Sequence, residues 1–274
     1  MTQCLIADEP LELFLFSHDS EYAATAMAAG FNGIVIDWER SGKSERQSGW
    51  NTEINAGTEA DLIAMRQHIV GTLICRVDNE PGLRVEQVRR AADLGANEVW
   101  LPMVRSVGEV EECLAALPDH CSLGILVETT EALALAEQWN DLPLTRVYVG
   151  LNDLQIETAR SNLFSPLCDG TVEAFRRRYH RPFGVAGVTR PDKGYPIPCY
   201  FLLAEMARLS CNFAVARRSF RADVPRRDLS DVTNAIRQSY AELRGRDAQA
   251  IGADHRALRA HVEAAANEVA PQGR

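Results

Sequence analysis

The sequence predicts an α/β protein, a closed (β/α)8 TIM barrel carrying one additional C-terminal helix. Three observations predict it. Apolar runs of strand length alternate with helical stretches almost throughout the chain. The runs are β-branched and apolar on both faces, as strands must be when helices cover one side and a barrel interior fills the other. Eight such units occur in order in 274 residues, and a barrel of this kind takes about 250 residues. An open doubly wound sheet is the structural alternative. No GxGxxG follows the first strand, so a dinucleotide-binding fold has no specific support.

LELFLFS (11–17) reads as strand one, followed by the Ala-rich helix EYAATAMAAG closed by Gly30. NGIVIDWE (32–39) is strand two, and a helix over 58–69 follows a polar stretch. TLICRVD (72–78) is strand three with RVEQVRRAADLG as its helix, and EVWLPMV (98–104) is strand four with VGEVEECLAAL. SLGILVE (122–128) is strand five, followed by ALALAEQW. RVYVGLND (146–153) is strand six. PFGVAGVT (182–189) is strand seven, with PCYFLLAEMARLS after it. NFAVARRS (212–219) is strand eight, and a helix over 229–245 completes the ring. Residues 1–248 are expected to form the barrel. Residues 249–274 are expected to add a helical extension, a candidate contact with a neighbouring subunit, and a disordered tail. Two segments interrupt the rhythm, 40–57 and the Pro/Gly loop 190–198. Both fall on the face where barrel active sites form, and long loops in compact domains are often functional.

The net charge of −9 repels a phosphate backbone, so nucleic acid is not an expected partner. A small anionic substrate is still admissible, because an arginine or a metal can reverse the local field. No apolar run approaches the ~18 residues of a membrane span, and the N-terminus lacks a signal-peptide pattern. Seven scattered cysteines without CxxC spacing read as free thiols of a reducing cytoplasm.

The strongest functional signal is where charges end the strands. Strand two ends in Asp37-Trp38-Glu39, strand three in Arg76-Val77-Asp78, strand five in Glu128 and strand six in Asp153. In a barrel these ends meet around one opening. Glu128 and Asp153 are hard oxygen donors on adjacent strands, suited with water to Mg²⁺ or Mn²⁺. No His or Cys accompanies them, which disfavours zinc. Arg76 could clamp a substrate carboxylate through two parallel hydrogen bonds. A 2-oxo acid held in this way would be poised for enolate chemistry.

VIDWE, CRVD, GANEVWLPMVRSVGEVEE, ILVETTEAL and VGLNDL stand in the order seen in the HpcH/HpaI aldolase and citrate lyase β-subunit superfamily, which the chain resembles from about residue 11 to 155. The resemblance implies a (β/α)8 barrel that binds Mg²⁺ or Mn²⁺ and cleaves or forms carbon–carbon bonds through pyruvate or acetyl-CoA enolates. It implies a homo-oligomer as well. By it, Glu128 and Asp153 match the metal ligands, Arg76 the substrate-carboxylate arginine, and Asp37 and Glu39 the acidic end of strand two. The segment Gly150, Leu151, Asn152 and Asp153 would line the substrate carboxylate.

The chain departs from that pattern in two places. The aldolase branch has a histidine base just after the strand-two acids, where this chain has Arg40. His18, at the end of strand one, is a candidate replacement, with Asp37 and a metal-bound water as others. The citrate lyase branch shows His-Pro near strand eight, where this chain has AVARRSFR. Arg217, Arg218 and Arg221 are therefore candidates for a phosphate or a second carboxylate, with surface charge as the plain alternative. Trp38 and Trp50 are candidate pocket walls. Trp100 reads as core, Arg176–Arg178 as a solvated face, and Lys43 and Lys193 show no Schiff-base setting. The expected function is a divalent-metal-dependent carbon–carbon lyase acting through a metal-stabilised enolate. Ester, acyl-CoA or phosphate-ester chemistry on the same site, or a non-catalytic metabolite-binding barrel, are the alternatives.

Overall fold

A computed structural model of the protein describes residues 10–40, 57–160 and 162–269, the side chains of 267–269 excepted. Eight parallel strands close in sequence order, with the first hydrogen-bonded to the last. They are β1 (Glu12–Phe16), β2 (Gly33–Asp37), β3 (Thr72–Arg76), β4 (Glu98–Leu101), β5 (Ser122–Val127), β6 (Val147–Val149), β7 (Phe183–Val188) and β8 (Phe213–Ala216). The barrel helices between them include α1 (Ser20–Ala28), α2 (Glu59–His68), α3 (Arg84–Asp93), α4 (Val107–Ala116) and α5 (Thr130–Ala134). After β6 come α6 (Leu151–Glu157), α7 (Ser165–Cys168) and α8 (Thr171–Arg178). The chain ends in α9 (Cys199–Arg208), α10 (Phe220–Asp223), α11 (Leu229–Arg244) and α12 (Ala248–Val269). The (β/α)8 barrel with a C-terminal helix is the predicted architecture.

Strand periodicity sorts the side chains into two layers. Leu13, Leu15, Ile34, Ile36, Leu73, Cys75, Val99 and Leu101 face outward into the layer shared with the helices. Phe14, Val35, Ile74, Trp100, Leu126, Phe213 and Val215 fill the interior. The interior is a packed aromatic plug: Trp100 stacks on Tyr148 at 6.2 Å, and Phe14 meets Phe213 edge-on at 5.8 Å. Below the plug, at the N-terminal end of the strands, Arg146 Nε reaches Glu98 at 3.0 Å and lies over the Phe14 ring. Burial pushes the Glu98 carboxyl above the usual range even with Arg146 and the Trp100 indole donating to it. This buried ion pair seals the bottom of the barrel.

Local chemistry starts several helices where the pattern places them. Asp19 caps α1 by accepting from the Tyr22 N–H, and Thr58 with Asp61 forms a capping box on α2. Ser106 and Thr129 cap α4 and α5 in the same way. The strands are shorter than their apolar runs, and β6 differs most. It ends at Val149, so Asp153 belongs to the first turn of α6 and not to a strand end. Gly150 and the two residues after it begin the helix, which carries Asp153 back over the mouth.

Helix α12 lies on α9 of the same chain. Leu258, Val262 and Ala265 are buried there, Asn162 Nδ2 donates to the Val262 carbonyl at 2.9 Å, and Glu205 gathers Arg208 and His255. Among the described residues no helix is long and apolar enough to cross a membrane. The six cysteines in the described residues are free.

Candidate active site

Interior positions recur every second residue, so the residue two beyond the last plug residue of a strand points into the mouth. That rule places Asp37 after Val35, Arg76 after Ile74, Glu128 after Leu126 and Arg217 after Val215. All four line one cavity of about 760 Å³ at the C-terminal end of the barrel. His18, Gly150, Leu151, Asn152 and Asp153 line it as well, and Trp100 and Tyr148 form part of its floor. Every site residue expected from the sequence thus reaches the same space.

Arg76 behaves differently from its expected use. Asp37 and Arg76 are register partners on β2 and β3, so their side chains emerge side by side. Arg76 Nε donates to Asp37 Oδ1 at 2.9 Å and Nη2 to Asp37 Oδ2 at 2.7 Å, with Glu39 Oε2 at 3.3 Å. The forked edge is therefore taken by a protein carboxylate and is not open for two parallel bonds to a substrate. Asp37 is fully buried, and Glu39 N–H also donates to its Oδ1. Asp37 thus accepts from three N–H donors, two of Arg76 and one of Glu39. Arg76 Nη1 makes no hydrogen bond among the described residues, and its N–H groups are what Arg76 can offer a ligand.

Glu128 is 3% exposed and Asp153 7% exposed. Burial, then Asp153, then Glu39 push the Glu128 carboxyl up to about 8, opposed by Arg76 and by the Met103 N–H that Glu128 Oε2 accepts at 3.0 Å. Met103 supplies that N–H from left-handed backbone, φ 50°, an unfavourable conformation for a residue with a side chain. On its other side Glu128 presses on Gly150. A Cβ there would lie 2.3 Å from Glu128 Oε1, so only glycine fits. Met103 and the role of Gly150 escape sequence reading because each acts through backbone brought in from another strand. A divalent cation fits this donor set: two buried carboxylates that repel one another, on a cavity open to water. No group of three or more His, Cys, Asp or Glu side chains suited to a metal occurs among the described residues. A cation would rest on the two carboxylates, with water and substrate oxygens completing its shell, as Mg²⁺ prefers.

His18 lies at the end of β1 with both ring nitrogens buried and no hydrogen-bond partner among the described residues. Arg40, at the position of the expected histidine, turns elsewhere: its Nη2 bonds the Gly57 carbonyl at 2.9 Å, and it does not line the cavity. Trp38 is no pocket wall. It is buried in the outer layer and donates Nε1 to the Thr58 carbonyl. Trp50 and Lys43 lie outside the described residues. Arg176 and Arg178 are not a solvated face, since they bind the carbonyls of Leu209, Tyr179 and Leu133.

Many solved structures share the fold, and two illustrate it. An HpcH/HpaI aldolase/citrate lyase family protein from Burkholderia cenocepacia J2315 is 16% identical, with a TM-score of 0.55, and the match covers 88% of this chain and 96% of that one. Phosphoribosyl anthranilate isomerase, in complex with reduced 1-(O-carboxyphenylamino)-1-deoxyribulose 5-phosphate, is 9% identical, with a TM-score of 0.54 and coverage of 83% and 99%. No family model matches the sequence, and no curated protein matches it. At these identities the likeness is one of fold, and the first of the two carries the family that the sequence motifs resemble.

Proposed function

We propose that the chain is a divalent-metal-dependent carbon–carbon lyase, aldolase-like, acting on a small anionic 2-oxo acid or β-hydroxy acid. The observation that carries this reading is the Glu128–Asp153 pair, two buried carboxylates facing one cavity at the mouth of a barrel. Mg²⁺ or Mn²⁺ held by Glu128 and Asp153 would supply an electrophile for negative charge developing on a substrate oxygen. The order of the sequence motifs and the fold of the Burkholderia protein support the same class. A homo-oligomer remains part of this reading.

The remaining roles belong to the chain itself. The Met103 N–H and Gly150 fix the Glu128 carboxylate from two sides. Asp37 and Glu39 hold the Arg76 guanidinium rigid, leaving Nη1 to donate to the substrate carboxylate or carbonyl oxygen. Gly150, Leu151, Asn152 and Asp153 line the side of the cavity opened by α6. His18, whose ring nitrogens have no competing partner among the described residues, is the proton carrier. In cleavage it takes the proton of the substrate hydroxyl. The electrons of the breaking carbon–carbon bond pass into the 2-oxo acid fragment as its enolate, and the proton then returns to carbon.

The test is proton exchange at the methyl group of pyruvate in D₂O, followed by NMR, with Mg²⁺ or Mn²⁺ and then with EDTA. Exchange that needs the metal and is lost in Glu128→Ala and His18→Ala is the expected result. No exchange while the wild type still binds Mn²⁺ would sink the enolate reading and direct attention to acyl-CoA and phosphorylated ligands.

A further inference from the structure

Three arginines follow β8, and the structure gives them different fates. Arg221 Nη2 pairs with Asp19 Oδ2 at 2.5 Å, and its guanidinium lies over the Tyr22 ring. Arg218 also has a partner. Arg217 points into the cavity, and no carboxylate lies within 4.0 Å of it and no hydrogen bond leaves its guanidinium among the described residues.

That isolation is unusual within this molecule. Among the arginines that are at least half-buried, Arg76 has Asp37, Arg84 has Glu112, Arg146 has Glu98 and Arg246 has Asp254. Arg176 and Arg237, which lack acids, give their N–H groups to carbonyls. Arg217 has neither, and burial weakens its hold on its proton, opposed by the nearby Cys199 and Asp223. Asp223 is the closest acid in electrostatic terms, but its Oδ2 is taken by the hydroxyls of Thr189 and Ser219, both at 2.7 Å. A half-buried guanidinium with no acceptor is costly to hold.

The surroundings make room for that side chain. The Arg217 N–H donates to the Val188 carbonyl at 2.8 Å, which anchors its backbone across the irregular β7–β8 pairing. A Cβ on Gly187 would meet Arg217 Cβ at 3.0 Å, and one on Gly194 would meet Arg217 Nη1 at 2.9 Å. Two glycines from β7 and its following loop thus clear the path of one arginine. In the closed ring β8 stands three strands from β5, which leads to Glu128, so Arg217 and the carboxylate pair occupy different sides of the mouth.

We infer that Arg217 is a binding residue for a second anionic group of the substrate, a terminal carboxylate or phosphate remote from the carbon that reacts. This rests on the proposed function only in calling the ligand a substrate; the anion subsite itself is read from Arg217. A terminal oxyanion would accept the forked donors that no group among the described residues accepts.

Binding tests it without turnover. In the presence of Mg²⁺, titration calorimetry compares 2-oxoglutarate with 2-oxobutyrate, which differ in the terminal carboxylate. In parallel, thermal melts are run with and without inorganic phosphate. The wild type is expected to bind 2-oxoglutarate at least roughly tenfold more tightly or to gain Tm with phosphate, as a charge-assisted pair would give. Arg217→Gln is expected to lose that preference or that gain, and Arg217→Lys to keep part of it. Loss of the 2-oxoglutarate preference assigns a carboxylate, and loss of the phosphate effect assigns a phosphate ester. Both variants should melt no lower than the wild type in the absence of anions, since the Arg217 guanidinium has no bond to lose among the described residues. A wild type indifferent to both probes, or variants that keep its response, overturns the inference. Arg217-dependent binding without pyruvate exchange would keep the subsite and discard the lyase reading. Exchange without Arg217-dependent binding would do the reverse.

Discussion

Replacing Gly150 by alanine adds one methyl group at the most crowded contact in the mouth. The backbone does not object, since φ −83° and ψ 102° are open to alanine. The obstacle is Glu128. The new Cβ would stand 2.3 Å from Oε1, 2.6 Å from Cγ and 2.8 Å from Cδ, where ordinary contact begins near 3.4 Å. The carboxylate has to retreat by about 1 Å, and it cannot do so without straining the 3.0 Å bond from the Met103 N–H. Overpacking of this kind costs about 1–3 kcal/mol, or roughly 2–5 °C in Tm for a chain of this size. A ligand displaced from its supports loses about 10–100-fold in metal affinity. Thermal melts in EDTA and Mn²⁺ titration followed by electron paramagnetic resonance measure the two effects separately. Gly108→Ala is the control, because nothing lies within 4 Å of a Cβ there and the site is in the first turn of α4. It should stabilise by roughly 0.4–1 kcal/mol. A Gly150→Ala protein that melts and binds Mn²⁺ like the wild type would refute the close approach. One that melts lower with unchanged Mn²⁺ affinity would show that Glu128 is not a ligand.

The raised Glu128 carboxyl sets a pH dependence. In the unfolded chain it ionises near the ordinary carboxylate value of 4.5, and in the fold it holds its proton up to about 8. Its contribution to metal-free stability is thus present below 4.5 and is lost as pH rises toward 8. Urea unfolding in EDTA at pH 5, 7 and 9 should show this decline, and Glu128→Gln should flatten it; equal slopes for both proteins would contradict the assignment. At the α9–α12 seam, Glu205 is 3% exposed and accepts from Arg208 at 2.7 Å and His255 at 2.9 Å. Glu205→Ala takes the acid from His255 and leaves Arg208 only Glu173, at 3.2 Å, and should cost about 1–3 kcal/mol in urea unfolding. A loss under roughly 1 kcal/mol would mean that the seam is held by its apolar residues alone.

Much of the architecture is determined by the sequence itself. Eight both-face-apolar runs separated by helical stretches leave little besides a closed parallel barrel, because each strand must bury two faces and each helix one. The convergence of Asp37, Arg76 and Glu128 was legible too. They end their strands at interior parity, and a barrel sends all such positions to one mouth. Tertiary structure decided what those groups do to one another. The β2–β3 register puts Asp37 beside Arg76 and occupies the fork that sequence reading reserved for a substrate. The early end of β6 moves Asp153 from a strand to the first turn of α6. Trp38 falls outside the mouth because its parity is opposite to that of Asp37. Arg217 looks in sequence like its neighbours Arg218 and Arg221. What separates them is which partners the folded chain brings within reach, and pairing between residues distant in sequence is set by three-dimensional packing alone.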